Sequence, residues 1–176
     1  MTLQEQREKI IELAEKWQGS QVEKYKESIF LPYITLPNAK GKGMMMEEFF
    51  YYYLKDLGID IEWKLGTLNY DFVINHKKKV ELKVASIGTK DIVVFNQLHF
   101  SITREVDEFL LVIIRPDDQI EFYLVPKTAF ITGDIRVQRQ HSSDKNQCAR
   151  LYGTYAQIFE KLSHYKVEVD KLKDTL

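Results

Sequence analysis

Residues 109–114 (FLLVII) are the feature that most restricts what this 176-residue chain can fold into. A continuous apolar run of strand length, with no polar residue at alternate positions, predicts a strand that is buried on both faces. Residues 116–119 (PDDQ) then predict a turn, and residues 120–125 predict a returning strand that ends at Pro126. Residues 59–65 alternate apolar and polar side chains and predict a further strand.

Residues 69–85 predict a β-hairpin that carries charged side chains on one face. Two short apolar runs flank a polar, basic turn near His76, so Asp71 is expected opposite Glu81. Because strand side chains alternate, Glu81 and Lys83 share the side of Asp71, whereas the apolar residues of both strands point to the other side. Acidic residues are poor strand formers, and departures of this kind cluster at functional sites.

The charged face of this hairpin indicates a reaction at a phosphodiester bond. Two neighbouring carboxylates, Asp71 and Glu81, repel each other unless a cation lies between them. Magnesium takes hard oxygen ligands, keeps several waters and would relieve that repulsion. Lys83, on the same face, can hold a metal-adjacent water or contact a phosphate oxygen.

The same residues resemble the motif of the PD-(D/E)XK nuclease superfamily, which is an acid on one strand and Glu-X-Lys on the next. The resemblance places the acid at Asp71, the glutamate at Glu81 and the lysine at Lys83, with Tyr70 where the family name has proline. It extends over roughly residues 40–130. It implies an α/β fold with a restriction-endonuclease-like core, in which a central mixed β-sheet is flanked by helices in the order helix, three strands, helix, two strands.

The resemblance also implies the roles of the hairpin residues. Asp71 and Glu81 would bind Mg²⁺, with the Leu82 carbonyl as a further ligand, and Lys83 would position the attacking water.

A helix before the hairpin often adds a glutamate to the metal site in this family. Residues 42–57 predict such a helix, which ends at Gly58. Glu47 is the better match for that glutamate and Glu48 is the alternate. The other interpretation is that both acids only oppose the helix dipole in an exposed first turn.

Gln97 is a further candidate, this time for contact with DNA. Residues 95–100 (FNQLHF) predict the start of a helix that packs on the sheet. By the resemblance, Gln97 would lie at the entrance of that helix and face the catalytic edge. A solvent-exposed glutamine at a helix start is the alternative.

Residues 133–147 are poor in apolar residues and rich in side chains that can pair with base edges. Arginine can bind guanine through two hydrogen bonds, and glutamine or asparagine can bind adenine in the same way in the major groove. The alternation of Ile135 and Val137 predicts that this segment begins as a strand. An ordinary solvated loop is the alternative. The candidate DNA-contacting residues are Arg136, Gln138, Arg139, His141, Lys145 and Asn146.

The length of the chain predicts a single nuclease domain, residues 1–176. It would comprise an N-terminal helical segment (1–39), a core (about 40–130), and a C-terminal polar loop and helix (131–176). Thr2 and Glu5 have the spacing of a capping box, and the amphipathic helix that follows, predicted to end at Gly19, is a candidate dimerisation element. Residues 154–173 also predict a helix.

Composition excludes several other classes of protein. The single cysteine, Cys148, offers no internal disulfide, and four scattered histidines do not indicate a zinc site. No apolar run is long enough for a membrane span, and neither a secretory signal nor a phosphate-binding glycine loop is present, so a cytoplasmic location is expected. The net charge of −1 counts against strong non-specific DNA binding, although local lysine clusters could still form a basic surface.

These observations predict a Mg²⁺-dependent DNA endonuclease that hydrolyses phosphodiester bonds in duplex DNA. The favoured form is a small Type II restriction enzyme that leaves 5′-phosphate ends, acts as a homodimer on a palindromic site and has a cognate DNA methyltransferase in its host. One alternative is a structure-specific nuclease of the same superfamily, such as a Holliday-junction resolvase or repair endonuclease. Another is a DNA-binding module that has lost catalysis.

Overall fold

Two β-sheets and the helices packed against them form a mixed α/β fold. The structure is a computed structural model, and it describes residues 2, 4–9, 19–66, 69–139 and 148–176. The described strands are β1 Ile61–Trp63, β2 Phe72–Ile74, β3 Lys78–Ser86, β4 Ile92–His99, β5 Glu108–Ile114, β6 Ile120–Pro126, β7 Gln138–Arg139, β8 Cys148–Thr154 and β9 Lys166–Val167. Residues 4–9 are helical. The further described α-helices are α1 Gly19–Lys24, α2 Leu31–Thr35, α3 Ala39–Asp56, α4 Lys127–Thr132, α5 Tyr155–Leu162 and α6 Leu172–Thr175. Short 3₁₀ helices lie at Thr89–Asp91, Ser163–Tyr165 and Val169–Lys171.

The larger sheet is mixed and has the strand order β1-β2-β3-β5-β6-β9. Strands β3 and β5 are parallel, whereas the other neighbouring strands are antiparallel. The prediction that residues 109–114 form a strand buried on both faces is confirmed, because Leu110, Val112 and Ile114 pack into one apolar core and the intervening residues pack into a second. Strand β5 therefore separates the two cores.

Helix α3 covers the first of these cores. Its buried residues Met46, Phe50 and Leu54 recur every four positions and pack against the sheet. The helix begins after Asn38, whose side-chain oxygen accepts a hydrogen bond from the Gly41 N–H at 2.5 Å, and the chain leaves the helix at Gly58, where φ is +78°. The helix predicted from the sequence is confirmed, and it starts three residues earlier than expected.

The helix predicted at residues 95–100 is wrong, because residues 92–99 form strand β4. The consecutive β-branched residues Ile92, Val93 and Val94 favour a strand, and the partner strand β8 lies more than 40 residues further along the chain. Strands β4, β8 and β7 form the second sheet in that order. The chain therefore crosses from β3 to the parallel strand β5 through a strand of another sheet, which corrects the predicted order of helix, three strands, helix and two strands.

The two ends of the chain differ in part from the predictions. The capping box is confirmed, since the Thr2 N–H donates to Glu5 Oε2 at 2.6 Å and the Glu5 N–H donates to Thr2 Oγ1 at 3.3 Å. Gly19, at which the N-terminal helix was expected to end, is the first residue of α1. Residues 10–18 lie outside the described part of the chain.

A single helix over residues 154–173 is also wrong. Helix α5 ends at Leu162, where Ser163 donates to the carbonyl of Glu160 at 3.1 Å and competes with the next helical turn. The chain then extends into β9, which pairs with β6, and Val167 packs against the first core. Among the described helices, none is long and apolar enough to cross a membrane.

Candidate active site

The β2–β3 hairpin has the register predicted from the sequence. Phe72 pairs with Val80, so Asp71, which immediately precedes β2, lies opposite Glu81. The backbone of Asp71 is held on both sides, because its N–H donates to the Val80 carbonyl at 3.0 Å and its carbonyl accepts from the Lys64 N–H at 2.8 Å. These bonds fix the position from which the Asp71 side chain extends.

Glu81 and Lys83 form an ion pair on strand β3. Glu81 Oε1 lies 2.5 Å from Lys83 Nζ, and the Glu81 residue is only 8% exposed. A carboxylate so far removed from water needs a charged or hydrogen-bonding partner. Lys83 provides that partner and is itself held in place by the contact.

The environment of Asp71 disfavours its negative charge. Burial raises the pKa of Asp71 to about 7, and the nearby charges of Glu81 and Glu47 act in the same direction, whereas the Lys83 amine opposes them. The Leu82 N–H donates to Asp71 Oδ2 at 2.8 Å. Three carboxylates and one amine therefore act on each other at this end of the hairpin.

Glu47 reaches this group from helix α3. Its side chain is half-buried and runs back along the helix, so that its Oε1 lies 4.0 Å from the position a Cβ would take at Gly43. Burial raises the pKa of Glu47, while the nearby Lys83 charge lowers it. Glu48, the alternate from the sequence, is exposed. The structure therefore brings Glu47, rather than Glu48, towards Asp71.

A groove of about 910 Å³ opens between helix α3, the hairpin and strand β4. Asp71, Lys83 and Glu47 line it. The groove also carries further basic and amide side chains, which are Lys40, Lys42, Lys64, Asn96 and Gln97. A wall with both cationic and amide groups can contact a phosphate backbone and base edges together.

The donor atoms at the site suit a hard cation. Carboxylate oxygens from Asp71 and Glu81 are the kind of ligand that Mg²⁺ takes while it keeps several waters. Among the described residues, no three side chains of His, Cys, Asp or Glu are grouped so that they could hold a metal ion. A metal here would therefore depend on few protein ligands, and Glu81 would have to exchange its contact with Lys83 for the ion.

Those predicted DNA-contacting residues that the structure describes lie in or next to the second sheet. Gln97 is exposed on strand β4 with φ of 56°, which corrects its expected place at a helix start. Arg136 is exposed just before β7, and Gln138 and Arg139 form that edge strand. His141, Lys145 and Asn146 lie outside the described part of the chain.

Several polar residues at this surface were missed by the sequence reasoning. Asn96, Arg150 and Tyr152 lie on the second sheet, on the side away from the core. Residues 148–154 (CARLYGT) alternate buried and less buried positions, a period-two pattern that could have identified strand β8 and these side chains.

Comparisons with known proteins give little similarity. No protein-family model matches the chain, and no curated protein matches it. Among solved structures, the chain is similar to a bacterial homing endonuclease, I-Ssp6803I, with a TM-score of 0.45 and 15% sequence identity. The alignment covers 73% of this chain and 96% of that chain.

Proposed function

We propose that this chain is a Mg²⁺-dependent DNA endonuclease that hydrolyses phosphodiester bonds in duplex DNA. The observation that carries the proposal is the convergence of Asp71, Glu81 and Lys83 at one end of a hairpin, beside a groove with lysine and amide side chains. This is the residue pattern of the PD-(D/E)XK superfamily in a mixed-sheet fold. The absence of an α-helix between β3 and β5, over residues 87–107, is a departure from the order that the resemblance implies.

Each site residue has a role in this proposal. Asp71 and Glu81 would hold the ion, the Leu82 carbonyl would be a further ligand, and Glu47 would complete or orient the shell. Bound there, Mg²⁺ lowers the pKa of a coordinated water and neutralises charge that develops on the phosphate. If Glu81 binds the ion in place of Lys83, the Lys83 amine would be free to donate a hydrogen bond to the attacking water or to a phosphate oxygen. The water would lose a proton to solvent and attack phosphorus in line, so that a new P–O bond forms as the bond to the 3′ oxygen breaks. The 3′ oxygen would take a proton from solvent, and the other product would carry a 5′-phosphate.

The favoured form of this activity is that of a Type II restriction enzyme. Cleavage of both strands needs two active sites, and a two-fold homodimer supplies them in the symmetry of palindromic DNA. The polar outer side of the second sheet, next to the groove, supports sequence reading in preference to recognition of branched DNA. A host that carries such an enzyme would also carry a cognate DNA methyltransferase.

The test is digestion of plasmid DNA with Mg²⁺, followed by sequencing of the ends. We expect discrete fragments that share one motif, no cleavage in EDTA, and recovery when Mg²⁺ is restored. Asp71→Asn and Lys83→Ala should each lose at least about 100-fold in rate. Lys55→Ala, at an exposed position of helix α3, is the control and should keep full activity.

The outcomes separate the alternatives. Full activity in folded Asp71→Asn or Lys83→Ala would refute the proposed mechanism. Cleavage confined to branched substrates would indicate a structure-specific nuclease, and DNA binding without cleavage under any metal would indicate a non-catalytic module. Thermal unfolding of each variant shows whether it is folded.

A further inference from the structure

Strand β4 contains a β-bulge where it passes the groove. Phe95 pairs with Leu151 and Leu98 pairs with Ala149, so two residues of β4, Asn96 and Gln97, lie opposite the single residue Arg150 of β8. Bulges redirect side chains and are frequent beside active sites. Asn96 and Gln97 are both exposed, and Gln97 has the left-handed backbone (φ 56°) that a residue other than glycine seldom adopts.

The bulge starts a row of polar side chains across the second sheet. Arg150 pairs on its other side with Gln138 of β7, so the row runs from Asn96 and Gln97 through Arg150 to Gln138. Tyr152 lies two residues from Arg150 on the same side of β8 and is 40% exposed. We refer to these five residues as the polar face. The residues that alternate with them belong to the second core and include Phe95, Leu98, Ala149 and Leu151.

Arg150 is held in a definite position on the polar face. Its guanidinium carbon lies 5.4 Å from the ring centroid of Tyr152, which is the distance of a cation–π contact. Its Nε is buried and has no hydrogen-bond partner among the described residues. A stacked, planar guanidinium is suited to binding a flat acceptor pair.

The polar face adjoins the candidate active site. Asn96 and Gln97 line the same groove as Asp71 and Lys83. A ligand in that groove would therefore contact the bulge and the hairpin together. In the major groove of B-DNA, the base edges present the acceptor pair of guanine and the donor–acceptor pair of adenine, which suit an arginine and an amide side chain, respectively.

We propose that the polar face reads base edges in the DNA major groove, with Arg150 as a specificity-determining residue for guanine and Asn96 or Gln97 for adenine. This inference rests on the proposed endonuclease function, since duplex DNA must first occupy the groove. Arg150 acts here in recognition and has no part in the hydrolysis step.

The test is selection of bound sequences from a randomised duplex library, with Ca²⁺ in place of Mg²⁺ so that binding is measured without cleavage. Wild-type protein should enrich one motif that contains guanine. Arg150→Ala should relax the preference at one base position by roughly 5- to 150-fold and leave the other positions unchanged. Arg150→Lys should relax the same position, because it keeps the charge and loses the two-bond geometry.

Two further variants make the result interpretable. Asn96→Ala should relax a different position, and Lys161→Ala, at an exposed site on helix α5, should keep the whole motif. An unchanged motif in folded Arg150→Ala, or an equal loss of affinity for all sequences, would overturn the inference.

The inference and the proposed function fail in different ways. If the wild type binds and cleaves duplexes without any motif, the polar face does not read sequence, although the endonuclease proposal stands. If the wild type neither binds nor cleaves duplex DNA, both fail.

Discussion

Asp71 combines a buried position, a hydrogen bond from Leu82 and two neighbouring carboxylates, and its pKa is raised to about 7 as a result. An acid in such a place makes the folded state less stable whenever it is ionised. A divalent cation would reverse this effect by favouring the carboxylate. Ionised Asp71 therefore lowers the stability of the folded protein when no cation is bound, and it would serve as a ligand when a cation is bound.

We expect Asp71→Asn to be more stable than the wild type at pH 8 and not at pH 4. The raised pKa in the folded state means that stability is lost as pH rises from the ordinary value of 3.8 to about 7 and stays lost above it. The difference at pH 8 has an upper bound of about 4 kcal/mol, since each pKa unit corresponds to about 1.4 kcal/mol. Urea unfolding of both proteins at the two pH values measures it.

Mg²⁺ provides a second measurement on the same pair of proteins. At pH 8 the ion should raise the melting temperature of the wild type more than that of Asp71→Asn, because binding to the folded state adds stability. Asp174→Asn, at an exposed position, is the control and should respond to Mg²⁺ as the wild type does. Equal stability of wild type and Asp71→Asn at both pH values would contradict the raised pKa.

At the scale of elements, helix α3 contributes side chains both to the first core and to the candidate active site. One side of the helix buries Met46, Phe50 and Leu54 in the first core, and the neighbouring position presents Glu47 to the groove. The N-terminus of the helix is closed by Asn38, and a Cβ at Gly41 would lie 2.8 Å from the Asn38 side-chain oxygen. Glycine at that position therefore allows the cap to form.

We expect Asn38→Ala to lower the free energy of unfolding by about 1 kcal/mol, because the Gly41 N–H loses its acceptor at the helix start. Asn38→Asp keeps an acceptor oxygen and adds a favourable charge at the positive end of the helix, so it should be at least as stable as the wild type. Denaturant unfolding of the three proteins gives the comparison. A loss of the same size in Asn38→Asp would show that the side chain acts in some other way.

At the scale of the whole molecule, charge is distributed unevenly although the net charge is −1. Two of the three lysines at the hairpin turn are paired with acids, Lys78 with Glu108 at 3.1 Å and Lys79 with Glu105 at 2.9 Å. The groove has lysines of its own, which are Lys40, Lys42, Lys64 and Lys83. A nearly neutral chain can therefore still present a cationic surface to a phosphate backbone.

Lys40 is the groove lysine that we expect to contact a phosphate, since it is exposed, whereas Lys42 donates to the Ile34 carbonyl at 2.9 Å. In Lys40→Gln, the slope of log affinity for duplex DNA against log salt should become shallower by about 0.9. Fluorescence anisotropy across a salt series in Ca²⁺ measures the slope. Lys161→Gln, away from the groove, is the matched control, and an equal change in both variants would argue against a local contact.

The sequence predicted the secondary structure correctly where residues close to each other in sequence determine it. The buried strand β5, helix α3 from residue 42 onward and the register of the β2–β3 hairpin all follow from periodicity and short connections. The prediction failed at strand β4, taken for a helix, and after Leu162, where β9 replaces the expected helix. In both cases the partner strand is distant in sequence, so no short connection marks the pairing in the sequence.

For the candidate site, the sequence alone determined that Asp71, Glu81 and Lys83 share one side of a hairpin, because side chains in a strand alternate and the turn is short. Only the tertiary structure decided that Glu47 reaches them from another element and that Asn96, Gln97 and Arg150 lie in one row beside them. Those relations depend on how a helix and a second sheet pack against the hairpin. Packing of this kind is set by the whole core, and no local pattern in the chain encodes it.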